Sequence, residues 1–294
     1  MAAILARAGA TAAASGSLPK STGRRRRNAV IVAAATGTGQ AMPQEGALER
    51  PAWSGETPLS RLVGALIAFK PLYSLMKLAS REVIIRTAEK WNIPWREMTK
   101  KVLESDVYEV FERIRDPKLV YPDYYLSPFH AYDEGNLSWL AAAEAEPATM
   151  SIAKRAIPEA TSIEEAKKLS RQNPIRWVHA NGEATGLPSD SFDLVSLAYV
   201  CHECPARAIT VLVKEAFRVL RPGGTIALTD NSPKSKVLQE LSPVLFTLMK
   251  STEPFLDEYY MLDLEETMRQ VGFANVCSIL TDPRHRTVTA TVPY

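Results

Sequence analysis

The 294-residue sequence is short of three things: acid at its start, glycine in its middle and cysteine throughout. Its three cysteines, Cys201, Cys204 and Cys277, are too few for a disulfide-stapled scaffold. A structural zinc centre is disfavoured as well, because Cys277 is the only cysteine left to complete a Cys201/Cys204 half-site. No long apolar run exists. The strongest, residues 62–69, is bounded by Arg61 and Lys70 and is far shorter than the roughly 20 residues a spanning helix needs.

The first acidic residue is Glu45, whereas Arg7, Lys20 and Arg24, Arg25, Arg26 and Arg27 precede it. Residues 1–44, rich in Ala, Ser, Thr and Gly, cannot bury enough surface to fold alone and read as an organelle transit peptide. Processing is expected near Ala33, with a plastid destination preferred and a mitochondrial one as the alternative. Without this leader, 29 basic residues face 33 acidic ones, so the formal charge of +2 becomes net negative. A negative body offers no generic footprint for nucleic acid. Gly37 and Gly39 imitate a phosphate loop, but Pro43, Glu45, Gly46 and Pro51 follow where a helix should open.

Pro and Gly at 43, 46, 51 and 55 mark residues 45–57 as a linker. Residues 58–170 read as a helical N-terminal region, with a short helix over 62–69, a second over 72–91 and one stripe over 95–114. Core packing is expected of residues 62–69, with contact at a membrane surface as the alternative. An aromatic loop then holds Tyr121, Tyr124, Tyr125, Phe129, His130, Tyr132 and Trp139. It could wall a site for a flat ligand or plug itself onto the core, and both readings stay open.

From residue 171 on, the pattern changes to strand and helix. Strands are expected over 175–179, 192–200 and 225–229, with a helix from about Pro205 stopped by Pro222, Gly223 and Gly224. A helix over 262–271 ends at Gly272, and two strands, 274–281 and 287–292, turn around Asp282-Pro283. The alternation implies a parallel α/β sheet with an antiparallel edge.

Four pieces in order carry a resemblance: Gly182-Glu183-Ala184-Thr185-Gly186-Leu187-Pro188, residues 190–195, residues 214–224 with their Leu-Arg-Pro-Gly-Gly close, and Val271-Gly272-Phe273. Together they resemble the class I S-adenosylmethionine-dependent methyltransferases, in particular the type-11, quinone-methyltransferase branch of plant plastid type. The resemblance implies a partial doubly wound, Rossmann-like sheet over 171–294 with S-adenosyl-L-methionine as cofactor. It implies that Glu183 and the N–H of Ala184 meet the adenine, and that Ala198 lines the methionine end. The acceptor it implies is a small, aromatic or quinone-type molecule. His202, just after the fourth family strand, is the candidate base; His179 and His130 are weaker candidates.

The glycine shortage bears on this resemblance. The family begins with a strand, a Gly-x-Gly turn, a helix and a second strand ending in an acid. Between Gly64 and Gly182 the only glycine is Gly135, and residues 140–174 hold no run of β-branched or aromatic residues. Such a unit needs roughly 30 residues. A shortened enzyme, joined near Ala166-Lys167 and impaired in cofactor binding, is therefore expected. Two other readings remain: a non-catalytic form acting through protein contacts, and a thiol–disulfide pair at Cys201/Cys204.

Overall fold

The computed structural model describes residues 3–6, 43–130, 132–156 and 177–294. The expected cleavage site near Ala33, the join near Ala166-Lys167 and the Gly37/Gly39 decoy lie outside these residues.

The N-terminal region is helical, as its periodicity requires. It contains α1 (Pro58–Ala68), α2 (Lys70–Lys90), α3 (Trp95–Leu103), α4 (Val107–Ile114) and α5 (Trp139–Ala156). Thr57 caps α1 by accepting from the Ser60 N–H, and Pro71 sits in the first turn of α2, where it lacks only a donor the helix does not use. The single stripe expected over 95–114 breaks in two. The N–H groups of Glu104 and Ser105 turn back onto Lys100 and Val102, ending α3, and α4 restarts after Asp106. Helices α2, α3 and α5 share a small core of Ile85, Ala88, Ile93 and Trp95.

Packing expected for residues 62–69 is only partly realised. Val63 is buried, but Leu62, Leu66 and Phe69 are exposed, as are Leu75 and Leu78 of α2. No helix of the described residues is long and apolar enough to cross a membrane.

The 45–57 stretch, expected to be a flexible connection, is pinned to the C-terminal half. Trp53 is buried, donates from Nε1 to the Leu238 carbonyl at 2.9 Å, and stacks on Phe246 with centroids 5.6 Å apart. Gly46 and Gln44 add backbone bonds to Lys234 and Lys236.

The sheet has five strands: β1 (Ala3–Ala6), β2 (Phe192–Ala198), β3 (Leu220–Asn231), β4 (Ala274–Leu280) and β5 (His285–Thr291), in the spatial order β1-β2-β3-β5-β4. Strands β2 and β3 are parallel, with Leu194 opposite Thr225 and Ala198 opposite Thr229. All other pairs are antiparallel: β1 on β2, β5 on β3, and β4 on β5. The helix α6 (Ala206–Val219) crosses between β2 and β3, as parallel pairing demands. Ala208, Ile209, Leu212, Val213, Ala216 and Val219 form its buried face, each large aliphatic side chain contributing about 1.5–3 kcal/mol. They meet Val195 and Leu197 of β2, Ile226 and Leu228 of β3, and Val288 and Ala290 of β5 in one core.

After β3 the short helices α7 (Lys236–Gln239), α8 (Pro243–Thr252) and α9 (Leu256–Met261) return the chain to α10 (Leu264–Val271). Gly272 at φ 116° ends α10, a backbone angle that favours glycine.

Three further expectations change. The run at 192–200 suggested a strand covered on both faces, but burial alternates along β2 and β3, one face packed and the other half-exposed. Trp177, Val178 and His179 are not in a strand, and Trp177 and Val178 are exposed; residues 175 and 176 lie outside the described set. The Leu-Arg-Pro-Gly-Gly stretch is the start of β3 itself, with Gly223 at φ 80°.

Candidate active site at the carboxyl ends of the parallel strands

Parallel strands end together, so β2 and β3 bring their carboxyl ends to one crevice, the usual ligand position in such sheets. β2 ends at Ala198, and Tyr199 takes a left-handed φ of 57°, an uncommon angle for an aromatic residue. Its N–H still reaches the Thr229 carbonyl at 2.8 Å. This bend sends the chain into the 3-10 turn Cys201–Glu203, placing His202 over the end of β3.

There Asp230 meets it. The Asp230 Oδ1 lies 2.6 Å from His202 Nδ1, and Oδ2 accepts from the His202 backbone N–H at 3.2 Å. Both residues are buried. Burial alone would drive the imidazole toward neutrality, but the Asp230, Glu253 and Glu203 carboxylates outweigh it and push its pKa up to about 10. Asp230 in turn pays desolvation yet is held below the usual carboxylate range by the His202 charge. At neutral pH the pair is an imidazolium–carboxylate ion pair. The near-neutral titration expected of His202 is therefore displaced, because the sequence places only Glu203 beside it and does not show that Asp230 and Glu253 gather there too.

The aromatic loop closes this crevice. His130, at φ 47°, bonds by its N–H to the Thr252 carbonyl at 2.9 Å, so its ring lies 6.5 Å from that of His202. Its Nδ1 lies 3.9 Å from Glu203 and its Nε2 3.8 Å from Glu253. Asn136 donates to the other oxygen of Glu203 at 3.0 Å. The Oε2 of Glu253 is buried with no hydrogen-bond partner. Asp230 and Glu253 are the site residues that sequence reasoning missed. Asp230 was within reach, as the acid at the carboxyl end of a strand; Glu253, after α8, carried no such signal.

Glu183 lies in the turn before β2, half-buried, and accepts at 2.8 Å from the hydroxyl of Tyr124. The Ala184 N–H closes the same turn onto the Asn181 carbonyl at 3.0 Å, and Ala184 and Ala198 are exposed. Thr185 is anchored behind them by its N–H and hydroxyl on Glu215, which Arg218 also holds at 2.7 Å. Of the aromatic loop, Tyr124 and Phe129 are buried, Tyr124 meeting Phe255 edge-on. His179 is engaged elsewhere: Nδ1 accepts from Asp116 and Nε2 meets the Tyr121 hydroxyl. The two thiols of the Cys-x-x-Cys stretch are buried, which drives both up, Cys204 to about 12.

Residues 138–228 match the family described as methyltransferase domain. That match runs from the start of α5 to β3 and includes Glu183, Ala184, Ala198 and His202. The sequence is 29% identical over 130 residues to the 2-methoxy-6-polyprenyl-1,4-benzoquinol methylase of Caenorhabditis elegans, covering 35% of this chain and 44% of that protein. It is 33% identical over 111 residues to the demethylmenaquinone methyltransferase of Lactococcus lactis, covering 37% of this chain and 40% of that protein. The chain thus spans less than half the length of these relatives. An O-methyltransferase family protein from Burkholderia thailandensis aligns over 51% of this chain and 41% of its own at 15% identity, with a TM-score of 0.36.

Proposed function

We propose that this chain is a shortened S-adenosylmethionine-dependent methyltransferase of the type-11, plastid kind, acting on a small aromatic or quinol-type acceptor with weakened cofactor binding. The observation that carries it is the buried His202–Asp230 pair at the carboxyl ends of β2 and β3, with His202 inside the stretch that matches a methyltransferase domain and Asp230 two residues beyond its end.

The residues present fit one side of the cofactor. Glu183 of the 181–188 turn would meet its adenine, and the exposed end of β2 at Ala198 leaves room for backbone approach at its methionine end, whereas the Ala184 N–H expected to face the adenine is held by the Asn181 carbonyl. The ribose side finds no such fit among the described residues. Gly135 cannot serve as a cradle, since a Cβ there would lie 2.3 Å from the Ser127 carbonyl oxygen, which marks a tightly packed turn. When bound, S-adenosylmethionine supplies an electrophilic methyl group.

The chain's own residues do the rest. Methyl transfer is an in-line displacement governed by positioning and exclusion of water. Tyr124 and Phe255 meet edge-on beside Glu183 and offer flat apolar surface to an acceptor. The charged His202 ring steadies negative charge on an acceptor oxygen, and Glu253 Oε2, buried and unpartnered, receives the proton an acceptor hydroxyl gives up.

Calorimetry with S-adenosylhomocysteine tests the reading. Saturable one-to-one binding supports the enzyme; the absence of heat up to millimolar ligand selects the non-catalytic form, which the glycine shortage favours. Plastid import belongs to the same proposal, and a fluorescent fusion to residues 1–44 that accumulates in mitochondria or cytosol would remove it.

A further inference from the structure

We infer that His130, His202 and Glu253 form a site for one divalent transition-metal ion of the zinc type. Each offers one donor atom, and the three donors lie within 4.8 Å of one another. They come from three separate places: the aromatic loop, the turn after β2 and the end of α8. Two imidazoles and one carboxylate are a donor set that zinc uses when a fourth position stays open for water or substrate.

The surroundings are those of a built site. Asp230 engages His202 Nδ1, leaving Nε2 as the free ring nitrogen; a carboxylate behind a histidine fixes the ring and raises its basicity toward a metal. Glu253 Oε2 is buried with no partner, a cost that coordination removes. Glu203 and Asp230 add negative charge, so the cluster carries more anionic than cationic groups around the crevice. The way in lies past His130, the most exposed of the three. A tetrahedral ion sets its donors about 3.4 Å apart, so the His130 loop must close by on the order of 1 Å. On binding, the ion takes the place of the proton on His202 Nε2, which leaves to solvent. A bound ion and the proton roles of His202 and Glu253 in methyl transfer exclude one another, and the inference does not depend on cofactor binding or methyl transfer.

The test uses the full chain, stripped with a chelator and titrated calorimetrically with zinc sulfate, with cobalt(II) absorption as a second readout. One ion per chain and the visible bands of tetrahedral cobalt are expected. His130→Ala and Glu253→Gln, both outside the buried core, should each weaken binding at least tenfold, and Asp230→Asn by about 10–100-fold. Cys277→Ser and His179→Ala should leave it unchanged. Binding that survives His130→Ala and Glu253→Gln, binding that follows the cysteines instead, or no binding at millimolar metal overturns the assignment.

Discussion

The Tyr124 hydroxyl donates to Glu183 Oε1 at 2.8 Å, tying the aromatic loop to the turn that precedes β2 across 59 residues of sequence. Burial and the Glu183 carboxylate both hold the phenol in its neutral, donating form. Arg207 sits over the same ring at 5.4 Å. Tyr124→Phe should therefore cost about 1–2 kcal/mol in urea unfolding, from a partly buried bond to a charged acceptor. If Glu183 meets the cofactor, freeing it should also change S-adenosylhomocysteine affinity severalfold, whereas a purely structural bond moves the unfolding midpoint alone.

The same turn is anchored a second way, and this anchor titrates. Bonds from Arg218 pull Glu215 down from 4.5 to about 2, against burial and with help from Thr185. A depressed carboxylate stabilises above its unfolded pKa and loses that contribution as pH falls through its folded one. The loss should run from about pH 4.5 to pH 2, and solvent screening of the half-exposed Arg218 keeps it small. Glu215→Gln should flatten stability across that window in pH-dependent denaturant unfolding; an unchanged slope would dismiss the linkage.

Trp53 joins the segment before α1 to the C-terminal half through Leu238, Phe246 and Tyr260. Trp53→Ala should cost about 3–5 kcal/mol, and Trp53→Phe less, because the stacked contact survives while the Nε1 bond is lost. Thermal unfolding with both variants separates the ring from its donor.

Thiol reactivity should follow burial. Cys277 is exposed, whereas Cys201 and Cys204 are buried and raised far from the thiolate form. A thiol reagent on the native chain should modify one cysteine quickly and the other two only after unfolding. The purified chain should not reduce insulin; rapid reduction would bring the redox reading forward.

Much of the C-terminal half was legible because its signals are local. Gly272 ends α10 and the Asp282-Pro283 turn separates β4 from β5 where the sequence placed them, and α6 starts one residue after Pro205, which sits extended at its N-cap position instead of in its first turn. The site was legible at His202 and, as a weaker candidate, His130. Its character comes from Asp230 and Glu253, 28 and 51 positions beyond His202, and no periodicity reports such long-range company. The break between α3 and α4 was hidden for the opposite reason. Apolar spacing continues through Glu104, Ser105 and Asp106, although the backbone bonds there turn back on themselves.

Strand β1 lies on the outer side of β2, with Ala3 to Ala6 opposite Leu197 to Leu194. It supplies hydrogen-bond partners to a strand whose other neighbour is already taken by β3. Any shorter form that starts beyond Ala6 would present a bare row of peptide groups at Leu194–Leu197, a ready template for another extended chain. In the intact chain the amino end keeps that row of peptide groups covered.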